Sequence, residues 1–420
     1  MNISRTARTR RPGFTLIEVL VAAGLCMLIM VVMTQAFAAG IDTFSVLKST
    51  GELQERLAVA GNVLQSDLAA THLENRVGEP TRVSGIRFDK INVPGFEQTA
   101  HPPYRGFFRI QQEGISMLEG NDPDGIPSSR AGGLAGNGHI LHMAVKLPGT
   151  RQDRAFTANL PADNPTLFAS SLINLEPSNL KYCSQWAEVA YFLNPTSTGT
   201  TAAGGTPLYS LHRRIRVLTA SDDTNISWFG NQATSPGMSC YQATTATATT
   251  PPLLVAQQKL LNGPGNITVP DFRLGGKTGI RSAAGIDDFA ALTAQSSGDD
   301  ILLSNVISFE IKANWDTISG LPPVAAPTDD PPFYDLPVGL QGRTFDTWSD
   351  RPNATRPFNY NGWNTPMIPN PAAPAPPAMI PNLDYRPVPL PIRLKAIQIK
   401  LRIYDPKNKL ARQITLIQDL

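Results

Sequence analysis

Residues 14–39, FTLIEVLVAAGLCMLIMVVMTQAFAA, form an apolar stretch of 26 residues in which Glu18 is the one acidic or basic side chain. As a helix rising ~1.5 Å per residue this stretch spans ~39 Å, more than the ~30 Å hydrocarbon core of a bilayer. The chain is therefore expected to cross a membrane once. Ahead of the stretch, Arg5, Arg8, Arg10 and Arg11 stand in a segment without acids, which by the positive-inside rule keeps the N-terminus cytoplasmic and exports about 380 residues. With 41% hydrophobic and 17% charged residues over 420, the remainder reads as one large elaborated domain or two small ones. A multispan membrane protein and a disordered tail are both excluded. Taking the four leading arginines out of the formal +2 leaves −2 for residues 14–420, which argues against a nucleic-acid binder.

A basic segment followed by an apolar one also opens a cleavable secretory signal, and Ala36, Ala38 and Ala39 could supply its small-residue cleavage pattern. Two features oppose that alternative. The apolar run is longer than a usual signal core, and it carries a carboxylate, which costs ~2.5 to 3.5 kcal/mol at the centre of a spanning helix and less near the interface. An intramembrane glutamate calls for a partner.

Gly13-Phe14-Thr15-Leu16-Ile17-Glu18 resembles the processing site of type IV prepilins and type II secretion pseudopilins. A basic leader ending in glycine, an aromatic residue, an aliphatic run and a glutamate five positions into the mature chain are all present. The resemblance implies that residues 1–13 are a leader, that a membrane-embedded prepilin peptidase cuts between Gly13 and Phe14, and that the new amino terminus on Phe14 is methylated. Glycine at the cut lets the backbone lie close in a peptidase cleft. Glu18 is then expected to pair with the Phe14 ammonium of a neighbouring subunit during filament assembly, in an apolar setting where either charge alone would be costly. Gly24 and the alanines of the helix offer small faces for close helix approach, and Cys26 is a small packing residue there.

From Ile41 to Leu73 the pattern becomes one-sided: Phe44, Leu47, Leu53, Leu57, Ala60, Leu64 and Leu68 recur mostly at three- or four-residue spacing, with Glu52, Glu55, Arg56 and Asp67 off that stripe. One helix is expected from Phe14 to about Leu73, softened at Gly40, Gly51 or Gly61, with a spanning part at 14–39 and an amphipathic stem at 40–75. Strands are expected at Thr81–Phe88, Gly106–Gln111, His139–Lys146, Glu188–Leu193, Leu208–Leu218, Val306–Asn314, Leu394–Tyr404 and Leu410–Ile417, with a short helix around Asp287–Ala294. Val189–Leu193 should pair with Leu208–Val217, and Ala396–Tyr404 with Leu410–Leu416 through a hairpin at Asp405–Lys409. Alternation at Ile397, Ile399, Leu401 and Ile403 marks one buried face.

The fold class is thus α+β and, by the resemblance, pilin-like: a long N-terminal helix on an antiparallel β-sheet head spanning 76–420. Its layout is most similar to the J-type pseudopilin and the W-type minor pilin, with extra length in two insertions, at about 220–285 and 322–391. The second holds eighteen of the 37 prolines and cannot form ordinary helix or central strand. Within it Pro369–Pro381 reads as polyproline II or disorder, while Phe333, Tyr334, Phe345, Trp348, Phe358, Tyr360 and Trp363 argue that parts of it pack.

Enzyme-like patterns are weak. His139 and His142 have the wrong spacing for a helical metal pair and would face opposite ways on a strand; His212 is expected on an exposed or edge strand. Asp122 and Asp124 lack the flanking carboxylates of a calcium loop, Asp287, Asp288, Asp299 and Asp300 assemble no site by sequence, and Gly132–Gly136 lacks the setting of a phosphate loop. No catalytic residue, metal or cofactor is assigned. Cys183 and Cys240 could join in an oxidising compartment, closing about 57 residues and stabilising by ~4 kcal/mol, or stay as two reduced thiols. The resemblance implies a non-enzymatic subunit of the inner membrane with a periplasmic head. Its partners would be prepilin peptidase, other pilins or pseudopilins in a filament or tip complex, and the inner-membrane assembly platform. The alternative is a binding module displayed at a filament tip, touching a surface, a substrate or DNA.

Overall fold

The computed structural model describes residues 13–75, 77–87, 103–112, 139–149, 155–159, 181–193, 208–219, 227–228, 237–246, 254–268, 273, 299–315, 333–336, 343–347, 367–369, 379–381, 390 and 392–420. The Asp122–Asp124 pair, Gly132–Gly136, the expected helix at Asp287–Ala294, Trp348, Phe358, Tyr360 and Trp363 lie outside them. The chain divides into two units, Met1–Gln54 and Glu55–Leu420.

Helix α1 runs unbroken over 53 residues, Leu16–Leu68. It contains no proline, and it passes through Gly40, Gly51 and Gly61 without the expected softening. At Gly61 the reason for glycine is space: a Cβ there would lie 3.2 Å from the Ile414 side chain. Over residues 16–39 the helix is apolar apart from Glu18 and a few uncharged polar side chains, with Leu16, Ile17, Val21, Met27 and Phe37 all more than 60% exposed. In the second, Leu57, Ala60, Leu64 and Leu68 form a buried stripe. The helix stops five residues before Leu73. His72 turns its ring back onto the Leu68 carbonyl (3.1 Å) and onto that of Ala144 (2.8 Å), and the chain enters strand β1 (Leu73–Glu74).

Strand β1 lies between β2 (Pro80–Thr81) and β3 (Arg105–Gly106). The strand expected over Thr81–Phe88 is only this stub, because Val83 and Ile86 are both buried at a spacing of three, which suits the 3-10 turn Val83–Gly85 and not alternation. Next come β4 (Phe108–Gln112), β5 (His139–Lys146), β6 (Phe156–Asn159), β7 (Lys181–Ser184), β8 (Trp186–Leu193) and β9 (Tyr209–Val217). The 220–285 insertion, expected to be a loop, carries a three-stranded sheet of β10 (Ser227–Trp228), β11 (Cys240–Ala246) and β12 (Leu254–Leu261). Then follow β13 (Asp299–Trp315), β14 (Arg343–Asp346), β15 (Met367–Pro369), β16 (Met379–Pro381), β17 (Leu394–Asp405) and β18 (Leu410–Asp419).

Eight strands make one antiparallel sheet in the order β14-β4-β5-β8-β9-β13-β17-β18. Both strand pairings anticipated from the sequence are present, with Val189 opposite Ile215 and, across the expected hairpin, Asp405 opposite Leu410. Ile397, Ile399, Leu401 and Ile403 are all buried. Strand β9 lies inside the sheet, so His212 is not on an edge; its ring stacks on Phe192 at 5.7 Å. Pro369–Pro381 does not run as polyproline II throughout: Ile368 pairs with Ile380 in a small ladder between two Met-Ile-Pro tripeptides. Each isoleucine keeps the N–H that its neighbouring proline lacks.

The sheet curls, and β13 shows why it closes. Strand β9 flanks β13 only from Asp299 to Val306, while β17 flanks its other side from Val306 to Trp315. Beyond Val306 the first side meets side chains instead of a strand. Ile311 N–H donates to His139 Nδ1 at 2.9 Å, and Gln112 donates to the Ile311 carbonyl. Gln112 and His139 are cross-strand partners on β4 and β5, so the far end of the sheet comes round to seal β13. The Pro-rich insertion leaves and re-enters between Trp315 and Leu394, which are themselves paired. Its Phe333, Leu336 and Phe345 are buried core residues, and β14 extends the sheet beside β4.

Candidate processing site and the polar ties of the head

Thr15 stands immediately before α1 and closes a reciprocal cap with Glu18. The Thr15 N–H donates to Glu18 Oε2 at 3.0 Å, the Thr15 hydroxyl donates to the same oxygen at 3.0 Å, and the Glu18 N–H donates to Thr15 Oγ1 at 3.4 Å. This is a capping box, and its Thr-x-x-Glu signature is legible in the sequence, so Glu18 has a partner within its own chain. The cap starts the helix at Leu16, so the Gly13–Phe14 peptide lies outside it. A Cβ on Gly13 would meet nothing within 4 Å. Nothing in the described residues requires glycine at 13, and Phe14 is 85% exposed.

At the other end of α1, Asp67 is buried, not solvated as its off-stripe position suggested. Arg213 grips it with two bonds of 2.8 Å from Nε and Nη2, and the Tyr191 hydroxyl donates to Oδ2. Burial and the adjacent carboxylate push the Tyr191 phenol up. Burial works against the Arg213 charge, but Asp67 and Tyr191 outweigh it and raise its pKa. Stem and sheet are thus joined through β8 and β9. Beside them Glu74, nearly inaccessible, is paired with Lys146 and with Arg105 at 3.5 Å.

The two histidines of β5 face opposite ways, as strand alternation requires. His142 Nε2 lies 2.9 Å from Glu188 Oε1, Ser239 donates to Glu188 Oε2 at 2.5 Å, and Asn262 donates to Ser239 at 2.9 Å. Glu188 stands between the serine and the imidazole, so the hydroxyl donates to a carboxylate and not to the imidazole. These bonds tie the 220–285 insertion to β8. A second tie runs through Arg273, which lies over the Phe107 ring at 3.8 Å, donates to the Ile267 and Thr268 carbonyls, and bonds Asp346 of β14 at 2.7 Å. Asp299 and Asp300 open β13 opposite Arg214 and Arg213. Among the described residues no group of three or more His, Cys, Asp or Glu side chains could hold a metal ion.

No disulfide joins Cys183 and Cys240 in this structure. Cys240 packs on the cluster of Ala158, Tyr182, Val217, Met238 and Leu261. Tyr182 on β7 faces that cluster, so Cys183, the next residue, is turned to the other side of its strand.

Residues 8–34 match the family model of the prokaryotic N-terminal methylation motif. This is a type IV prepilin-type N-terminus. The matched segment contains the basic leader's end, Gly13, Phe14, the capping box and most of the apolar stretch 14–39. Comparison with curated proteins and with solved structures finds no match for the chain. The prepilin-type helix α1 is long and apolar enough to cross a membrane.

Proposed function

We propose that this prepilin-type chain is a minor pseudopilin or minor pilin without enzymatic activity, inserted in the inner membrane with its head in the periplasm. Prepilin peptidase cuts between Gly13 and Phe14, Phe14 is methylated, and the subunit joins other pilins through the assembly platform in an initiation or tip complex. The filament is a type II secretion pseudopilus or a type IV pilus. One observation carries the reading: the Gly13–Phe14 bond of the motif lies outside a capped helix, at a glycine that nothing among the described residues requires. The uncovered apolar helix adds support, since it must find lipid or other helices. Cutting leaves the Thr15–Glu18 box intact, so Glu18 has to exchange this internal partner for a neighbour's ammonium on assembly.

The test is intact mass and N-terminal sequencing of protein made with and without a prepilin peptidase. A chain starting at methylated Phe14 only with the peptidase present is the expected result. A start after Ala39, or an uncut chain in both cases, would overturn it.

A further inference from the structure

The open half of β13 is covered by a short piece of the Pro-rich insertion, and the way it is held is that of a bound peptide. Ala313 and Tyr334 exchange both backbone bonds, N–H to carbonyl at 2.8 and 2.9 Å. Gln112 holds site and occupant together: its Oε1 accepts the Leu336 N–H at 2.7 Å while its Nε2 donates to the Ile311 carbonyl. Phe333 and Leu336 are 1% and 0% exposed, and the Tyr334 ring meets Trp315 edge-on at 5.6 Å. Paired backbone bonds to a strand edge are the main-chain element of recognition by strand addition, joined here by the burial of two apolar side chains three positions apart. Pro331, Pro332 and Pro337 bound the segment. Proline has no N–H to give to a ladder, and Phe333 and Leu336 are the segment's two buried apolar anchors.

We infer that the open edge of β13 with Gln112 is a binding site for an extended peptide, filled here in cis by Phe333–Leu336. The site takes a large apolar residue, a residue with a free backbone N–H, and a second apolar residue three positions after the first. A segment of this kind from another protein binds only by displacing the tethered one, which makes the cis segment an inhibitor of the site. The inference concerns the head alone and stands apart from the prepilin reading.

The experiment uses the full chain with protease sites placed between Ala325 and Ala326 and between Val338 and Gly339. Cutting leaves the piece Ala326–Val338 without covalent attachment, and a fluorescent synthetic peptide of that sequence is then added. Saturable exchange of the labelled peptide for the retained piece is expected. The same peptide carrying Tyr334→Pro should bind at least about tenfold more weakly, because the Ala313 carbonyl loses its donor. A head that stays folded but never exchanges its piece, or that binds both peptides equally, overturns the site. Should the cut head unfold, the uncut Tyr334→Pro chain serves instead: it should take up the labelled wild-type peptide at the freed edge, and failure to do so overturns the inference.

Discussion

At Gly13 a Cβ would meet nothing among the described residues, so the proposed cleavage, and not the fold, is what a larger side chain there tests. Gly13→Leu should leave the fold untouched and yield a precursor that intact mass shows uncut. Glu18→Gln should still be cut but fail to enter filaments, and normal incorporation by immunoblot of sheared filaments would refute its role. Gly106 is constrained from inside. Its φ is +76°, and a Cβ would fall 2.0 Å from the His72 carbonyl oxygen, so Gly106→Ala should cost at least ~3 kcal/mol in urea unfolding, well beyond an ordinary surface change. Asp67→Ala removes the carboxylate that the part-buried Arg213 guanidinium and the Tyr191 hydroxyl both bond, and about 3 kcal/mol of lost stability is expected, measured the same way. Glycine and glutamate at the cut were legible as a pattern; the meaning of Asp67 was not, because a carboxylate one step off an apolar stripe looks solvated until Arg213, 146 residues later, is brought to it.

Among the elements, α1 was the most legible, since its signal is local and its length is set by an uninterrupted run without proline. Its end was misread because the helix is terminated by a tertiary contact, the His72 ring on Leu68 and Ala144. Strands with strong alternation, such as β17, were found with their pairing. Those of the 220–285 insertion were missed because a Thr/Ala-rich run and LVAQQKLL carry no clear period-two signal, and they are fixed by ties such as Ser239 and Asn262 to Glu188. Strand β18 packs on α1 at Gly61, where Gly61→Leu should push the helix off Ile414 and Leu416 and lower the thermal midpoint, with a cost of ~1 to 3 kcal/mol.

For the molecule as a whole, the buried histidines set a pH dependence. His72 is pushed below the usual imidazole range by burial, against the pull of the Ala144 and Leu68 carbonyls and Asp67. His142 is lowered by burial against Glu188. Both folded-state values lie under the unfolded ~6.5, so the neutral ring is favoured on folding. That stability is present above the unfolded value and lost as pH falls through it. The urea midpoint should drop between ~pH 7.5 and ~pH 5.5, and a flat profile would show that the rings take up protons equally in the folded and unfolded chain, against the burial argument.

The sequence by itself determined the long apolar helix, the N-terminal methylation motif and the α+β class, because each rests on residues adjacent in the chain or on a short period. Only the tertiary structure decided what the insertions are. Proline density marked residues 322–391 as an excursion, yet Phe333, Leu336 and Phe345 are core, and Arg273 from the other insertion is locked to Asp346. A composition rule sees the local cost of proline for helix and sheet. It cannot see that the open side of β13 leaves backbone groups of Ile311 and Ala313 to be satisfied, and that the partners supplied are Gln112, His139 and Tyr334, brought together by the curl of the sheet.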